Sequence, residues 1–163
     1  MEGGVRFGSR GGREVADEKV RPEKDRVEGV VDVGIVVISH FENPAKDAAL
    51  EFLSDVLKWR RKCLIPTSAS AYDALTRTLR TRSPAFYEDI SVETALDSLT
   101  NALGYNVESW DGYIVALAKK FRGAIYTVDL ELARKVRDVP VVNPILEEIF
   151  EEYNRWLRER LKK

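Results

Sequence analysis

The sequence predicts an α/β fold in which a central parallel sheet is covered by helices on both faces. Three observations predict it. Short apolar runs alternate with longer segments of helical periodicity, in the order β-α-β-α-α-α-β-α-β-α, and strands separated by helices run parallel. The run from Val30 to Ile38 is rich in β-branched residues, as a central strand buried on both faces requires. The chain has 163 residues, enough for one domain with a sizeable core.

The elements follow in order. Residues 1–28 carry five glycines, many charges and scattered apolar side chains, so they bury too little surface to offset the entropy of ordering. They are expected to form a charged, disordered tail, with Arg6, Arg10 and Arg13 as the alternative, an RNA-binding arm. A single domain is expected over 29–163. After the Val30–Ile38 strand, Asn43-Pro44 supplies a cap followed by Pro for a helix whose apolar positions run from Ala45 to Leu57. Cys63 to Pro66 is a second strand, and Thr67, Ser68 and Ser70 are candidate caps for a helix through Leu79. Ser91 opens a helix through Leu103, with Gly104 suited to its left-handed end. Val107 to Phe121 is a further helix closed by Gly123. Ala124 to Thr127 is a strand, Leu130 to Val136 a short helix and Val139 to Val142 the last strand. Asn143-Pro144 repeats the cap-plus-Pro start of a closing amphipathic helix that carries Ile145, Ile149, Tyr153, Trp156 and Leu161 near one face.

Composition narrows the chemistry. Charged residues make up 33%, with 26 Lys+Arg against 27 Asp+Glu, a surface that suits a protein of a hot environment. The net charge of −1 gives no global signal for nucleic acid, so RNA would need a local patch. One Cys and one His exclude an internal disulfide and a Cys/His zinc site. A lone buried thiol points to the cytoplasm, and no apolar stretch reaches the roughly 20 residues that span a bilayer.

The residues that carry chemistry are aspartates at element ends. Asp32 stands in the Val30 run, Asp73 early in the helix after the second strand, Asp111 at a helix start and Asp129 at a strand end. In a parallel sheet such positions converge on one crevice at the carboxyl ends of the strands. Carboxylates sharing a crevice repel one another unless a cation neutralises them, and oxygen ligands suit a hard divalent ion, Mg²⁺ or Mn²⁺. Such ions screen an anionic phosphodiester and acidify water. Thr127 is a candidate phosphate ligand, and Arg77, Arg80 and Arg82 form a local basic run that could hold an RNA backbone. Each has a plainer role: Asp129 can cap a helix, Asp73 can pair with Arg77, Thr127 can pair in a strand. Glu108 is a first-turn helix acid, Trp110 a core side chain, and His40 has no partner motif that would make it a general base.

Three blocks resemble the PIN-domain family, which includes the VapC-type toxins of toxin–antitoxin pairs. They are Val31-Asp32-Val33-Gly34-Ile35-Val36, Trp110-Asp111-Gly112 through Ala118, and Gly123 through Asp129 ending in Thr-Val-Asp. The resemblance runs from about Val30 to Val142. It implies a three-layer α/β/α sandwich and a metal-dependent endoribonuclease in which Asp32, Asp111 and Asp129 hold metal; Asp73 serves as a fourth acid only if its helix begins one residue differently or its backbone rotates. It also implies homodimerisation and, for a toxin, an antitoxin partner. Two positions depart from the family. Val33-Gly34 stand where a Ser or Thr usually follows the first Asp, and Tyr72 falls where the second acid, usually Glu, is expected, with Asp73 one residue on. These departures favour the alternative of a PIN-like module, weakened or inactive as a catalyst, that binds RNA or a protein. A Rossmann-like nucleotide binder is disfavoured by the lack of a Gly-x-Gly-x-x-Gly turn.

Overall fold

The computed structural model describes residues 4–8, 26–66, 83–89 and 91–162. Among the described residues, six parallel strands form one sheet: β1 (Val5–Phe7), β2 (Gly29–Val31), β3 (Cys63–Pro66), β4 (Phe86–Tyr87), β5 (Ala124–Tyr126) and β6 (Val141–Asn143), in the spatial order β1-β6-β5-β2-β3-β4. The described helices are α1 (Val33–Ile38), α2 (Lys46–Leu57), α3 (Val92–Tyr105), α4 (Ser109–Phe121), α5 (Leu130–Lys135) and α6 (Glu147–Leu161). The architecture is a three-layer α/β/α sandwich. No helix among the described residues is long and apolar enough to cross a membrane.

Strand pleating assigns the layers. Successive side chains of a strand point to opposite faces. Val30, Ile125 and Val141 pack with Ile114, Leu117 and Leu132 of α4 and α5, whereas Val31 and Tyr126 pack with α1, α2 and Phe150 of α6. α3 lies outside the sheet, against α4. Gly112 permits this contact, because a Cβ there would stand 2.3 Å from the Ser98 carbonyl oxygen and 2.9 Å from the Ala102 Cβ.

The run read as one strand from Val30 to Ile38 is two elements. The strand stops at Val31, and Val33 to Ile38 are helical. Asp32 makes the break: its backbone is extended and its carboxylate accepts the Val33 N–H at 2.8 Å, the geometry of a helix cap. Burial of Ile35, Val36 and Ile38 then outweighs the weak helix propensity of β-branched residues. Two helix ends also differ from expectation. α3 continues through Gly104 and closes at Asn106, and α4 closes at Arg122 rather than Gly123; both closing residues are left-handed, with φ of 55° and 56°. Asn143 belongs to β6 and its side chain accepts the Ile145 N–H, so α6 starts only at Glu147. Val5–Phe7, within the segment expected to be a tail, pairs in parallel with β6. The helix expected from Thr67 to Leu79 lies outside the described residues.

Candidate functional site

The chain leaves β2 toward β3 and β4 on one side, while β5 and β6 stand on the other. The β2–β5 seam is therefore where strand order reverses, the place at which open α/β sheets form a ligand crevice beyond their carboxyl ends. Asp32 follows β2 directly. Thr127 and Asp129 follow β5. The Asp32 N–H donates to the Tyr126 carbonyl at 2.8 Å, which locks the two strand ends together. Asp111 reaches the same region from the first turn of α4.

Asp32 is the best-held of these acids. It is only 6% exposed. Its Oδ1 accepts the Val33 N–H at 2.8 Å and the Trp110 indole N–H at 2.9 Å, and its Oδ2 accepts the Thr127 hydroxyl at 2.7 Å. Three donors offset the cost of burying the charge. A carboxylate offers about four lone-pair positions, so Oδ2 keeps one for a ligand. Thr127 also accepts the Asp129 N–H at 3.0 Å, joining the two acids through one hydroxyl. Asp129 caps α5 through Oδ1, which accepts the N–H groups of Glu131 and Leu132, and its Oδ2 has no donor among the described residues.

Asp111 is held differently. Its carboxylate has no hydrogen-bond donor and no ion pair among the described residues. Burial pushes its pKa up to about 6, helped by the negative charges of Asp32, Asp129 and Glu108 and opposed by Lys135. The four acids therefore form one electrostatic unit. Asp111, Asp129, Glu108, Glu131 and Lys135 line a cleft of about 430 Å³, and buried Asp32 is not part of its wall. Lys135 donates to the Asn106 carbonyl at 3.0 Å.

The structure thus brings Asp32, Asp111, Asp129 and Thr127 together. Asp73, Tyr72, Arg77, Arg80 and Arg82 lie outside the described residues. Trp110, expected as a core side chain, packs on the α4–α5 core and also orients the Asp32 carboxylate; its place beside Asp111 was the only sequence signal for that role. His40 donates locally, to the Val36 carbonyl or the Ser39 hydroxyl, away from the acids. Gly34 stands with its Cα against Val128, so that a Cβ would come to 3.2 Å from the Val128 methyl. The hydroxyl on Asp32 comes from Thr127 instead of position 33 or 34. Among the described residues no three Asp, Glu, His or Cys side chains are gathered closely enough to hold an ion as they stand. The donor set itself, all carboxylate oxygen with open positions on Asp32, Asp111 and Asp129, is of the kind that hard divalent cations take.

No family model matches the chain, and no curated protein matches it significantly. Among solved structures, the chain is similar to one in a toxin–antitoxin complex from Klebsiella pneumoniae, at 21% identity and a TM-score of 0.50, covering 73% of this chain and 99% of that one. It also matches PAE2754 from Pyrobaculum aerophilum at 17% identity and a TM-score of 0.46, over 80% of this chain and 91% of that one. The likeness to the Klebsiella pneumoniae chain shows the fold.

Proposed function

We propose that this protein is a divalent-cation-dependent endoribonuclease of the toxin type, with Asp32, Asp111 and Asp129 as the cation-holding acids. Asp111 carries the proposal. A half-buried carboxylate with three acidic neighbours and no donor among the described residues is costly to keep charged, and a cation bound among these acids would remove the cost. Asp32, fixed by three donors, is the rigid anchor; Asp129, exposed at the cleft rim, is held as the cap of α5 through Oδ1 and would offer its Oδ2. Mg²⁺ or Mn²⁺ held there would screen the phosphodiester and lower the pKa of water. Thr127 keeps Asp32 and Asp129 in register, and Trp110 fixes the face that Asp32 presents. Arg77 and Arg80 are the proposed RNA-backbone contacts. The fold it shares with a chain of a toxin–antitoxin complex supports an antitoxin as partner.

The second reading is a module that binds RNA or a protein without cleaving it. The lack of a gathered three-acid cluster among the described residues favours it. One experiment separates the two. Cleavage of a mixed RNA substrate is measured with Mn²⁺, with Mg²⁺ and with a chelator, for the native chain and for Asp32→Asn. The nuclease reading expects metal-dependent cleavage that falls at least about 100-fold in the variant. RNA binding without cleavage in either metal would establish the module instead.

A further inference from the structure

A lysine stands in the acid-lined cleft and is paired with none of the acids. Lys135 lines the cleft with Glu108, Asp111, Asp129 and Glu131. Among the described residues it makes no ion pair, and its hydrogen bond goes to the backbone carbonyl of Asn106, at 3.0 Å. Glu131 is its natural partner, four residues earlier on α5 and in the favourable order for a helix pair. Glu131 pairs instead with Arg134. A lysine that served only to neutralise the cleft would sit on one of these carboxylates. A carbonyl is a neutral acceptor, so the bond to Asn106 fixes where the ammonium stands without cancelling its charge. An ammonium has three N–H donors, and two remain for a ligand.

The bond also ties the two walls of the cleft together. Asn106 is the left-handed residue that closes α3, and the chain runs from it directly into Glu108 and the first turn of α4 with Asp111. Lys135 is the last residue of α5, and Asp129 is the cap at its other end. Six residues at 1.5 Å each set their backbones about 9 Å apart along the helix axis. The acids that the nuclease reading assigns to a cation thus lie toward one end of this wall, and the ammonium belongs to the other. We infer, on the nuclease reading of this cleft, that Lys135 is a substrate-positioning residue whose ammonium holds a backbone phosphate next to the scissile one. A polyanion entering between four carboxylates is repelled except where positive charge stands. A bound cation supplies that charge at the acids, and Lys135 supplies it further along the same strand of RNA. A flexible, compact ammonium suits a phosphate that is held and not transformed.

Steady-state cleavage in Mn²⁺ tests the contact, with a short oligoribonucleotide taken from the products of the mixed substrate. Lys135→Gln should raise KM about tenfold and leave kcat within about twofold, because the phosphate is held equally in the ground and transition states. The slope of log(kcat/KM) against log[KCl] should become shallower by about 0.7, the loss of one phosphate contact on a single strand. Lys135→Arg keeps the charge and should keep the native KM and slope. Substrates with an uncharged methylphosphonate on one side or the other of the cleavage point locate the contact: one of them should cost the native chain about tenfold in KM and cost Lys135→Gln nothing further. Native KM and slope in Lys135→Gln, with cleavage intact, overturn the phosphate contact and leave the nuclease reading standing. So does a lowered melting temperature as the only change, which would reduce Lys135 to a tie between the walls, and so does a lost rate that added Mn²⁺ restores, which would place it at the cation. A native chain that does not cleave RNA overturns the nuclease reading and this contact with it.

Discussion

Two carboxylates of one cluster sit in opposite circumstances. Asp32 receives three hydrogen bonds; Asp111 receives none from the described residues and is surrounded by negative charge. Their substitutions should diverge accordingly. The pKa of Asp111 is raised in the fold to about 6 from the ordinary 3.8 of an aspartate. A raised carboxylate pKa means that the folded state binds the extra proton, so stability falls as pH climbs between those two values and then stays low. Asp111→Asn should therefore raise the melting temperature in metal-free buffer at about pH 7.5, and the gain should vanish below about pH 4, where the native side chain is itself neutral. Mn²⁺ should raise the melting temperature of the native chain and not that of Asp111→Asn, since a ligand stabilises only the form that binds it. Calorimetric melting across pH, with and without Mn²⁺, checks both. A stabilising substitution that abolishes a function is the expected mark of a site built from repulsion.

The α3–α4 pair is the element that aims Asp111, and it is stapled by another aspartate. Asp89, just before α3, has a side chain 5% exposed. It accepts from the Ser91 backbone and hydroxyl, from the Thr94 hydroxyl at 2.8 Å and from Lys120 of α4 at 2.8 Å. Burial alone would raise its pKa, but Lys120, Ser91 and Thr94 outweigh that and hold it well below the usual carboxylate range. Asp89→Ala should cost about 2–3 kcal/mol by stranding these donors. Because the folded pKa is depressed, the native advantage is present in full above about pH 4 and is lost as pH falls further; urea titrations of both chains at pH 7 and pH 3 should show the gap closing. Sequence made part of this element legible. Ser91 announced the start of α3, and Asp111 stood where a helix dipole favours an anion. The strand–helix break at Asp32 was hidden, because nine residues of mostly branched apolar side chains carry no period that separates a buried strand from a buried helix. The Asp32–Trp110 bond joins residues 78 apart, and no local pattern encodes such a partner.

At the scale of the molecule, the sheet was legible in its middle and not at its edges. β2, β3, β5 and β6 carry apolar runs, whereas β1 has an arginine at its centre and lies within the segment expected to be a tail, and β4 is only two residues long. β1 nevertheless adds a ladder to β6, and Phe7 places its ring 6.1 Å from that of Phe150 on α6. Rings then continue along α6 through Tyr153 to Trp156, which meets Phe41. That ladder gives Trp156 a packing role. Removing residues 1–8 should lower the melting temperature by roughly 4–8 °C, as expected for a loss of about 2 kcal/mol in a domain of this size, while leaving the acids at the β2–β5 seam in place. Gly112 has a consequence of a different kind, for descent. Its space is occupied by the Ser98 carbonyl and by Ala102, whatever the protein does, whereas the carboxylate before it has no hydrogen-bond donor among the described residues and costs stability for as long as it stays acidic. A lineage that stopped using the cleft would gain by losing Asp111 and would still be obliged to keep Gly112. Among descendants of this chain, the Asp-Gly pair would then report separately on activity and on architecture: its first letter drifts when the chemistry is abandoned, and its second holds for as long as the fold does.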